Sequence, residues 1–331
     1  MHELQFLILT VIVLALLFDF INGFHDTANA IATSVSTRAI KPAHAIIMAA
    51  VLNFLGAIYS TGVAKTIGGD IVASAEMVDE HIIIAALMGS IVWNLFTWYV
   101  AMPSSSSHAL VGGIIGAVLV STGSTGLNFI GIGKIVLSLI ASPLLAIFSG
   151  FIVMTVLFLL FGQFAPSALN GRFKKMQILS AAAMAFSHGS NDAQKSMGII
   201  TLALLSGGYL SSFEVPDYVK FLCAAAMACG TAIGGWRIIR TIGGKIFKLE
   251  PISGFAADLN SSIVIFSATL LHLPVSTTHV VSGSIMGVGT AKRIRAVRWG
   301  VAQQMLVAWV LTIPCTAVMG ALAYQIVLWI F

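Results

Sequence analysis

The chain has 331 residues, of which 58% are hydrophobic and only 9% are charged, and its mean hydropathy is +0.99. A soluble domain carries about 25% charged residues, so the composition excludes a soluble globular protein. The net charge of +5 comes from basic residues between apolar runs, where a positive-inside bias explains it better than nucleic-acid binding. The three cysteines lie within apolar stretches, which is not the pattern of a disulfide framework.

Apolar segments follow one another along the whole chain, several of them close to the roughly 20 residues that span a bilayer. They predict an all-α polytopic membrane protein with roughly 10–12 transmembrane segments. Polar stretches at 22–26 and 187–196 predict broken or re-entrant helices, and Pro314 leaves the last segment as one helix or two. The predicted segments are 4–21 with 26–37, 42–64, 81–102, 107–123, 132–162, 176–188 with 191–207, 218–243, 254–273, 277–291 and 297–330.

The first segment is predicted to be a retained helix rather than a signal peptide. No small-residue cleavage site follows it. Polar residues follow instead, and they suit a functional segment. These are Asp19, Asn22, His25 and Asp26.

Four basic clusters hold 13 of the 17 lysines and arginines. Cytoplasmic loops carry an excess of such residues, so the clusters predict the cytoplasmic face of a bacterial-type plasma membrane. This assignment places loops 65–80 and 208–217, and also the N-terminus, outside. The clusters are Arg38 with Lys41; Arg172, Lys174 and Lys175; Arg237, Arg240, Lys245 and Lys248; and Lys292, Arg293, Arg295 and Arg298.

The sequence repeats two polar motifs in the same order. The stretch at 23–29, GFHDTAN, returns at 189–195 as GSNDAQK, an offset of 166. The stretch at 103–108, PSSSSH, returns at 274–279 as PVSTTH, an offset of 171. Gly112 and Gly116 recur as Gly283 and Gly287. Two recurrences at nearly one offset indicate an internal duplication.

The predicted orientation makes this duplication inverted. The first motif runs from outside towards the cluster at 38–41, whereas its copy runs from the cluster at 172–175 towards the outside loop at 208–217. We therefore expect a first inverted repeat with its trailing helix at 1–162, a short cytoplasmic connector at 163–175, and a second repeat with trailing helices at 176–331. Inverted repeats are typical of secondary transporters, whose sites lie at the repeat interface near the midplane.

The two aspartates of the first motif, Asp26 and Asp192, are candidates for binding a coupling cation. A carboxylate within a membrane segment costs roughly 2.5–3.5 kcal/mol on insertion scales, so it usually faces a cavity and a partner. Hard cations take oxygen ligands, and Na⁺ at these aspartates is one interpretation. The alternative is that the aspartates only cap half-helices.

The Ser/Thr runs of the second motif are candidates for binding an anion. A run that opens a helix gathers hydroxyls and backbone N–H groups at a positive helix end, which suits phosphate. The alternative is ordinary helix capping. The candidate side chains are Ser105, Ser106, Ser107, Ser276, Thr277 and Thr278.

Other polar residues within the apolar segments have alternative candidate roles. Lys195 is either the ion-pair partner of Asp192 or a charge for the anion. His25 either titrates, which suits proton coupling, or acts as a neutral hydrogen-bond donor. His108 and His279 either orient the serine runs or pack, and Asp258 is a further carboxylate for the coupling ion or its surroundings.

At these motifs the sequence resembles the inorganic phosphate transporter (PiT) family, in its bacterial low-affinity permease type. The matching stretches are GFHDTANAIAT at 23–33, SHGSNDAQKS at 187–196, GFAADL at 254–259 and PVSTTH at 274–279. The resemblance implies phosphate symport driven by sodium or protons, and it assigns substrate and ion binding to both motifs. The residues it maps are Asp26, Asn29, Asn191 and Asp192, together with Ser105–Ser107 and Ser276–Thr278.

One departure from the family pattern bears on the coupling ion. Sodium-coupled members usually have asparagine where this chain has His25. Members that resemble proton-coupled carriers, some of them handling a metal–phosphate complex, carry histidine there. The resemblance therefore favours protons over sodium.

Other functions fit the residues less well. An intramembrane serine hydrolase needs one nucleophile and one base, whereas here the Ser/Thr-His motif is duplicated. A cation channel and a carrier of sulfate or arsenate stay open. The sequence lacks the G-x-x-x-x-G-K-[ST] run of an ATP-driven pump. We expect no enzyme activity, no cofactor and no nucleic-acid partner; the expected partners are phosphate, H⁺ or Na⁺ and the lipid bilayer, and a homodimer is compatible.

Overall fold

The computed structural model describes residues 2–234 and 236–330; within its helices, the side chains of residues 2, 3, 27, 28, 166–168, 236–238 and 240 fall outside the description. The described chain forms twelve α-helices and three short 3₁₀ helices. It contains no β-strand beyond one isolated bridge between Val72 and Leu127. The predicted all-α class is confirmed.

The helices fall into two series of six. The first series is α1 (His2–Ser36), α2 (Pro42–Ala57), α3 (Gly62–Gly69), α4 (Glu80–Tyr99), α5 (Ser106–Ser121) and α6 (Phe129–Phe161). The second is α7 (Pro166–Ser206), α8 (Asp217–Ile233), α9 (Trp236–Gly244), α10 (Pro251–Leu270), α11 (Thr277–Lys292) and α12 (Trp299–Ile330).

The two series match member for member. α4 and α10 both have 20 residues, and α5 and α11 both have 16. α6 and α12 are long helices that each contain an internal proline, Pro143 and Pro314. Because Pro314 lies inside a continuous helix, the last predicted segment is one helix rather than two.

Four of the described helices are long and apolar enough to cross a membrane by themselves: α1 from Leu4, α4, α6 and α12. α2 and α3 would add a fifth span as a pair bent by 71°. Large apolar side chains face outward, among them Trp329, Leu159 and Ile130. An outer surface of this kind is suited to lipid and not to water.

The observed helix breaks do not lie where the sequence predicted them. α1 and α7 run without interruption through 22–26 and 187–196, so the prediction of breaks there was wrong. The breaks instead fall within the segments predicted at 42–64 and 218–243, between α2 and α3 and between α8 and α9. Residues 166–175, predicted as part of the connector, form the first turns of α7, which leaves only residues 162–165 between the two series.

The paired long helices α1 and α7 run antiparallel at the centre of the molecule. Ser196 donates to Asp19 at 2.7 Å, and Thr37 donates to Gln177, also at 2.7 Å. Residues later in α1 therefore contact residues earlier in α7. α1 and α7 thus cross the molecule in opposite directions.

The loops gather at two ends of different charge. At one end, here called the acidic end, Gly207 lies against Glu80 and Gly68 against the ring of Phe213, so the loops predicted at 65–80 and 208–217 lie together. At the other, here called the basic end, Lys292 pairs with Glu250 at 2.7 Å.

Polar residues of the repeated motifs form a layer between two apolar cores. One core joins the N-terminal part of α1, up to Ile21, to the part of α7 that begins at Ala193. The other joins α1 from Ala30 to the part of α7 that ends at Ala185. The segments 22–29 and 187–192 lie between these cores, so the fold itself places both motifs at one depth.

Candidate functional site

Asp26 on α1 and Asp192 on α7 lie in this polar layer, and their exposed fractions are 2% and 1%. Asp26 accepts a hydrogen bond from Ser106 at 2.6 Å and another from Thr278 at 3.0 Å. Asp192 accepts one from Thr277 at 3.0 Å and forms an ion pair with Lys195. Buried carboxylates persist when they are paired and hydrogen-bonded, and both of these are.

The hydroxyls that reach the aspartates come from the first turns of α5 and α11. Pro103 and Pro274 precede these turns and prevent the helices from starting earlier, because proline restricts the preceding residue to extended conformations. Ser105 and Ser276 are the N-caps, and they accept the backbone N–H groups of His108 at 3.2 Å and His279 at 3.3 Å. The two turns have the same local structure, as the repeat predicts.

The two series of helices meet in this site. Thr278 on α11 reaches Asp26 on α1 and also accepts a hydrogen bond from Asn29 at 2.7 Å. Ser107 on α5 donates to the carbonyl of Val275 at 3.0 Å, and Lys195 reaches the same carbonyl at 3.2 Å. The structure therefore brings the predicted anion-binding and cation-binding residues of both copies together.

His25 is bonded directly to Asp26. Its Nδ1 lies 2.8 Å from Asp26 Oδ1, and its Nε2 lies 3.3 Å from the hydroxyl of Thr97. The His25 side chain is fully buried. The arrangement places a group that can gain or lose a proton against one of the two central carboxylates.

Asn191, the repeat equivalent of His25, has a different set of contacts. Its Oδ1 accepts the backbone N–H of Val275 at 3.2 Å. Its Nδ2 donates to Thr269 at 3.1 Å and to the carbonyl of Leu273 at 3.2 Å. Asn191 thus holds the turn that leads into α11, and the two copies of the motif are not chemically equivalent.

His108 and His279 form a ring pair behind the serine turns. Their ring centroids are 4.5 Å apart, and the ring of His279 stacks on Trp309 at 4.0 Å. His108 Nδ1 also lies 2.8 Å from Ser105 Oγ. The sequence left packing and orientation of the serine runs as alternatives for these histidines. The rings do pack, and His108 also contacts Ser105.

Asp258 does not join the central group. Its Oδ1 accepts a hydrogen bond from Thr33 at 2.5 Å, seven residues after Asp26 on α1, which corresponds to about 10 Å along a helix. Asp19 lies seven residues before Asp26 on α1, so it is about 10 Å from Asp26 in the opposite direction. Asp19 on α1 and Asp258 on α10, which Thr33 of α1 bonds, therefore lie on opposite sides of the site along the axis of α1.

Sequence reasoning missed two residues of this site: His188, a neighbour of Asp192, and Thr97, a neighbour of His25. His188 Nε2 lies 3.3 Å from Asp192 Oδ2, without the alignment of a hydrogen bond, and its Nδ1 contacts Asn53 at 3.0 Å. A signal for His188 existed, because the offset of 166 aligns it with Asn22, another polar residue inside an apolar run. Thr97 had no comparable signal, because it lies outside both repeated motifs.

Comparison with known proteins shows which family has this site. A model of the phosphate transporter family matches residues 22–320. The chain belongs to the phosphate transporter family. The resemblance expected from the two motifs is confirmed, and so is the expectation that the chain is a transporter rather than an enzyme.

Relatives in this family match over the full length. A probable low-affinity inorganic phosphate transporter of Bacillus subtilis is 52% identical over 100% of both chains. A protein of the same description from Rhizobium meliloti is 46% identical over 96% of both chains. A solved structure described as the sodium-dependent phosphate transporter superposes with a TM-score of 0.90 at 26% identity, covering 98% of this chain and 100% of that one. The chain is a multi-pass membrane protein of this family.

Proposed function

We propose that this family member carries inorganic phosphate across the membrane together with protons, and that both bind in the polar layer around Asp26 and Asp192. The observation that carries the proposal is the pair of hydroxyls on Asp26, one from each series of helices. Ser106 of α5 and Thr278 of α11 both donate to it. A site shared in this way changes whenever the two series move relative to each other.

The charges of the site favour uptake of a cation with phosphate. Two carboxylates and the ammonium of Lys195 leave one net negative charge among these three groups, all nearly or fully buried. Phosphate adds further negative charge, and uncompensated charge in a low-dielectric interior is strongly unfavourable. A cation bound at the carboxylates offsets this cost, so each ligand favours the binding of the other.

The hydroxyls supply a structural reason for the coupling. A serine or threonine hydroxyl has one O–H to donate, and those of Ser106, Thr277 and Thr278 are donated to the aspartates. Phosphate oxygens compete for the same three donors. A cation at the carboxylates releases the hydroxyls to the anion, which is a coupling free energy between two adjacent sites.

His25 favours the proton as that cation. It is buried and lies 2.8 Å from Asp26, so a proton can be shared between the two side chains. Among the described residues, no group of three or more His, Cys, Asp or Glu side chains forms a metal site. Sodium is the second candidate, because a solved relative is described as sodium-dependent and the carboxylate and hydroxyl oxygens around Asp26 are suitable ligands.

The proposal includes an inverted repeat, with residues 1–162 and 176–331 as its two halves. The six-and-six order of helices and the antiparallel contact of α1 with α7 support it. With the basic end in the cytoplasm, the N-terminus lies outside. Exchange between two arrangements of the halves would then expose the site to each side in turn.

The experiment is uptake of radiolabelled phosphate into proteoliposomes under separately imposed proton and sodium gradients. We expect an inward proton gradient to drive accumulation without sodium, and we expect Asp26→Asn and Asp192→Asn to abolish uptake while the purified proteins keep the elution profile of the wild type. Normal uptake by either variant would remove the carboxylates from the site.

Uptake that requires sodium and ignores the pH gradient would replace the proton by sodium. Sulfate or arsenate that is accumulated in preference to phosphate would identify another oxyanion as the substrate.

A further inference from the structure

A cleft of about 490 Å³ opens at the acidic end of the molecule. It lies between α3, the chain leading into α8, and the loop that follows α10. Its polar wall contains two lysines, one histidine and one carboxylate: Lys65, Lys220, His272 and Glu214.

The few lysines that lie outside the basic clusters are concentrated at this cleft. Outside the four basic clusters the chain has only Lys65, Lys134, Lys195 and Lys220. Lys195 is in the central site, and two of the remaining three line the cleft.

The rest of the acidic end carries carboxylates, which repel an approaching anion. They include Asp70, Glu76 and Asp79. The cleft is therefore the part of this end that an anion approaches with least repulsion. Glu214 in its wall and Asp217 at 2.8 Å from Lys220 offset the charges of the two lysines, so the cleft is close to neutral and an anion is held there only weakly.

His272 in the wall of the cleft begins the loop that leads to the turn of the central site. His272 has a left-handed backbone with φ of 59°, and the hydroxyl of Thr66 on α3 holds its carbonyl at 2.8 Å. The next residues, Leu273 and Val275, are the ones that Asn191 bonds. One short loop thus separates the cleft from Thr277 and Thr278.

The repeat supplies an equivalent cleft at the basic end. Ala101, 171 residues before His272, is also left-handed, with φ of 54°. It lines a second cleft, of about 420 Å³, with Lys245 in its wall. Each cleft is lined by residues of the loop that precedes one of the two site helices, α11 at the acidic end and α5 at the basic end. A pair of clefts in this arrangement is what access from two sides requires.

We propose that the acidic-end cleft is a capture site for inorganic phosphate, which binds weakly at Lys65, Lys220 and His272 before it passes the 272–275 loop. The inference rests on the phosphate transport proposed above and adds a second anion site to it. The site acts on the encounter with phosphate and not on the translocation step, so it affects uptake only when phosphate is scarce.

The first test compares Lys65→Gln with Lys134→Gln. Both lysines are exposed at the acidic end, both changes remove one positive charge, and only Lys65 lines the cleft. We expect Lys65→Gln to raise the KM for phosphate about two- to fivefold, the range of one exposed charge pair, with an unchanged maximal rate. The difference should shrink at high salt, which screens exposed charges. Equal KM values for the two variants would overturn the proposal.

A second test restores the charge chemically. Lys65→Cys is made in a background in which the native cysteines, Cys223, Cys229 and Cys315, are replaced by alanine, and it is treated with methanethiosulfonates that add either an ammonium or a sulfonate group. We expect the ammonium reagent alone to lower the KM again; equal effects of the two reagents would show that charge at this position is irrelevant.

The proposed function is tested separately by the wild-type protein in the same liposomes. Absence of phosphate uptake by the wild type would refute transport itself. Normal wild-type uptake with no effect at Lys65 would refute only the capture site.

Discussion

Replacing Thr278 by valine tests the contact between the two series of helices. Valine keeps the branched shape but removes the hydroxyl that donates to Asp26 at 3.0 Å and accepts from Asn29 at 2.7 Å. The Oδ1 of Asn29 already has no hydrogen-bonding partner among the described residues, so the variant leaves this buried amide with none. The change removes the contacts of α11 with two side chains of α1 without altering the volume of the site much.

The expected magnitude follows from the charge on the acceptor. A hydrogen bond to a charged group contributes about 1.5–3 kcal/mol, and about 1.4 kcal/mol corresponds to a factor of ten. If the bond orders the site for phosphate, Thr278→Val lowers kcat/KM about 10- to 150-fold. Thr278→Ser retains a hydroxyl and should keep most of the activity.

The assay is the initial rate of phosphate uptake into proteoliposomes as a function of phosphate concentration. The melting temperature of each purified variant in detergent is measured alongside, so that loss of folded protein is recognised. A valine variant that folds and has kcat/KM within about threefold of the wild type, well below the loss expected for a bond to a charged group, would refute the view that Thr278 joins the two halves of the site.

Three further outcomes are expected. His25→Asn removes the proton-binding partner of Asp26, so uptake should lose its response to an imposed pH gradient. An unaltered response would show that His25 does not couple protons to transport. Ser106→Ala removes the donor to Asp26 Oδ2, and the KM for phosphate should rise about tenfold, whereas an unchanged KM would count against contact with the anion. Gly189→Leu places a side chain against the backbone of Asn53 and should lower the free energy of unfolding by about 1–3 kcal/mol, which is seen as a lower melting temperature. Gly171→Leu on the same helix, where space is open, is the control, and equal effects would refute the packing argument.

The sequence alone determined the environment of the protein and the identity of its main polar groups. Low charge and long apolar runs required a membrane protein, because so little polar surface cannot be hydrated. The duplicated motifs are local patterns that can be recognised without knowledge of the fold. One pair lies around Asp26 and Asp192, the other around Ser106 and Thr277. The starts of α5 and α11 were also readable, since a Ser/Thr run shortly after a proline favours a helix start locally.

The tertiary structure alone decided which of these groups touch. Thr278 bonds Asp26, 252 positions away, and no local pattern states which of several polar helices will be neighbours. For the same reason His188 and Thr97 were missed, while Asp258, a plausible carboxylate by sequence, proved to bond Thr33 instead.

Tertiary contacts also decided where the helices break. Polar residues at 22–26 and 187–196 looked like interruptions, yet α1 and α7 continue through them, because the side chains find partners on other helices and the backbone in an apolar interior is best satisfied by its own helical hydrogen bonds. The breaks within predicted segments fall instead between α2 and α3 and between α8 and α9, while Pro103 and Pro274 limit the starts of α5 and α11, as the sequence indicated. Local chemistry thus names the candidate residues of the site, and only long-range packing tells which of them meet.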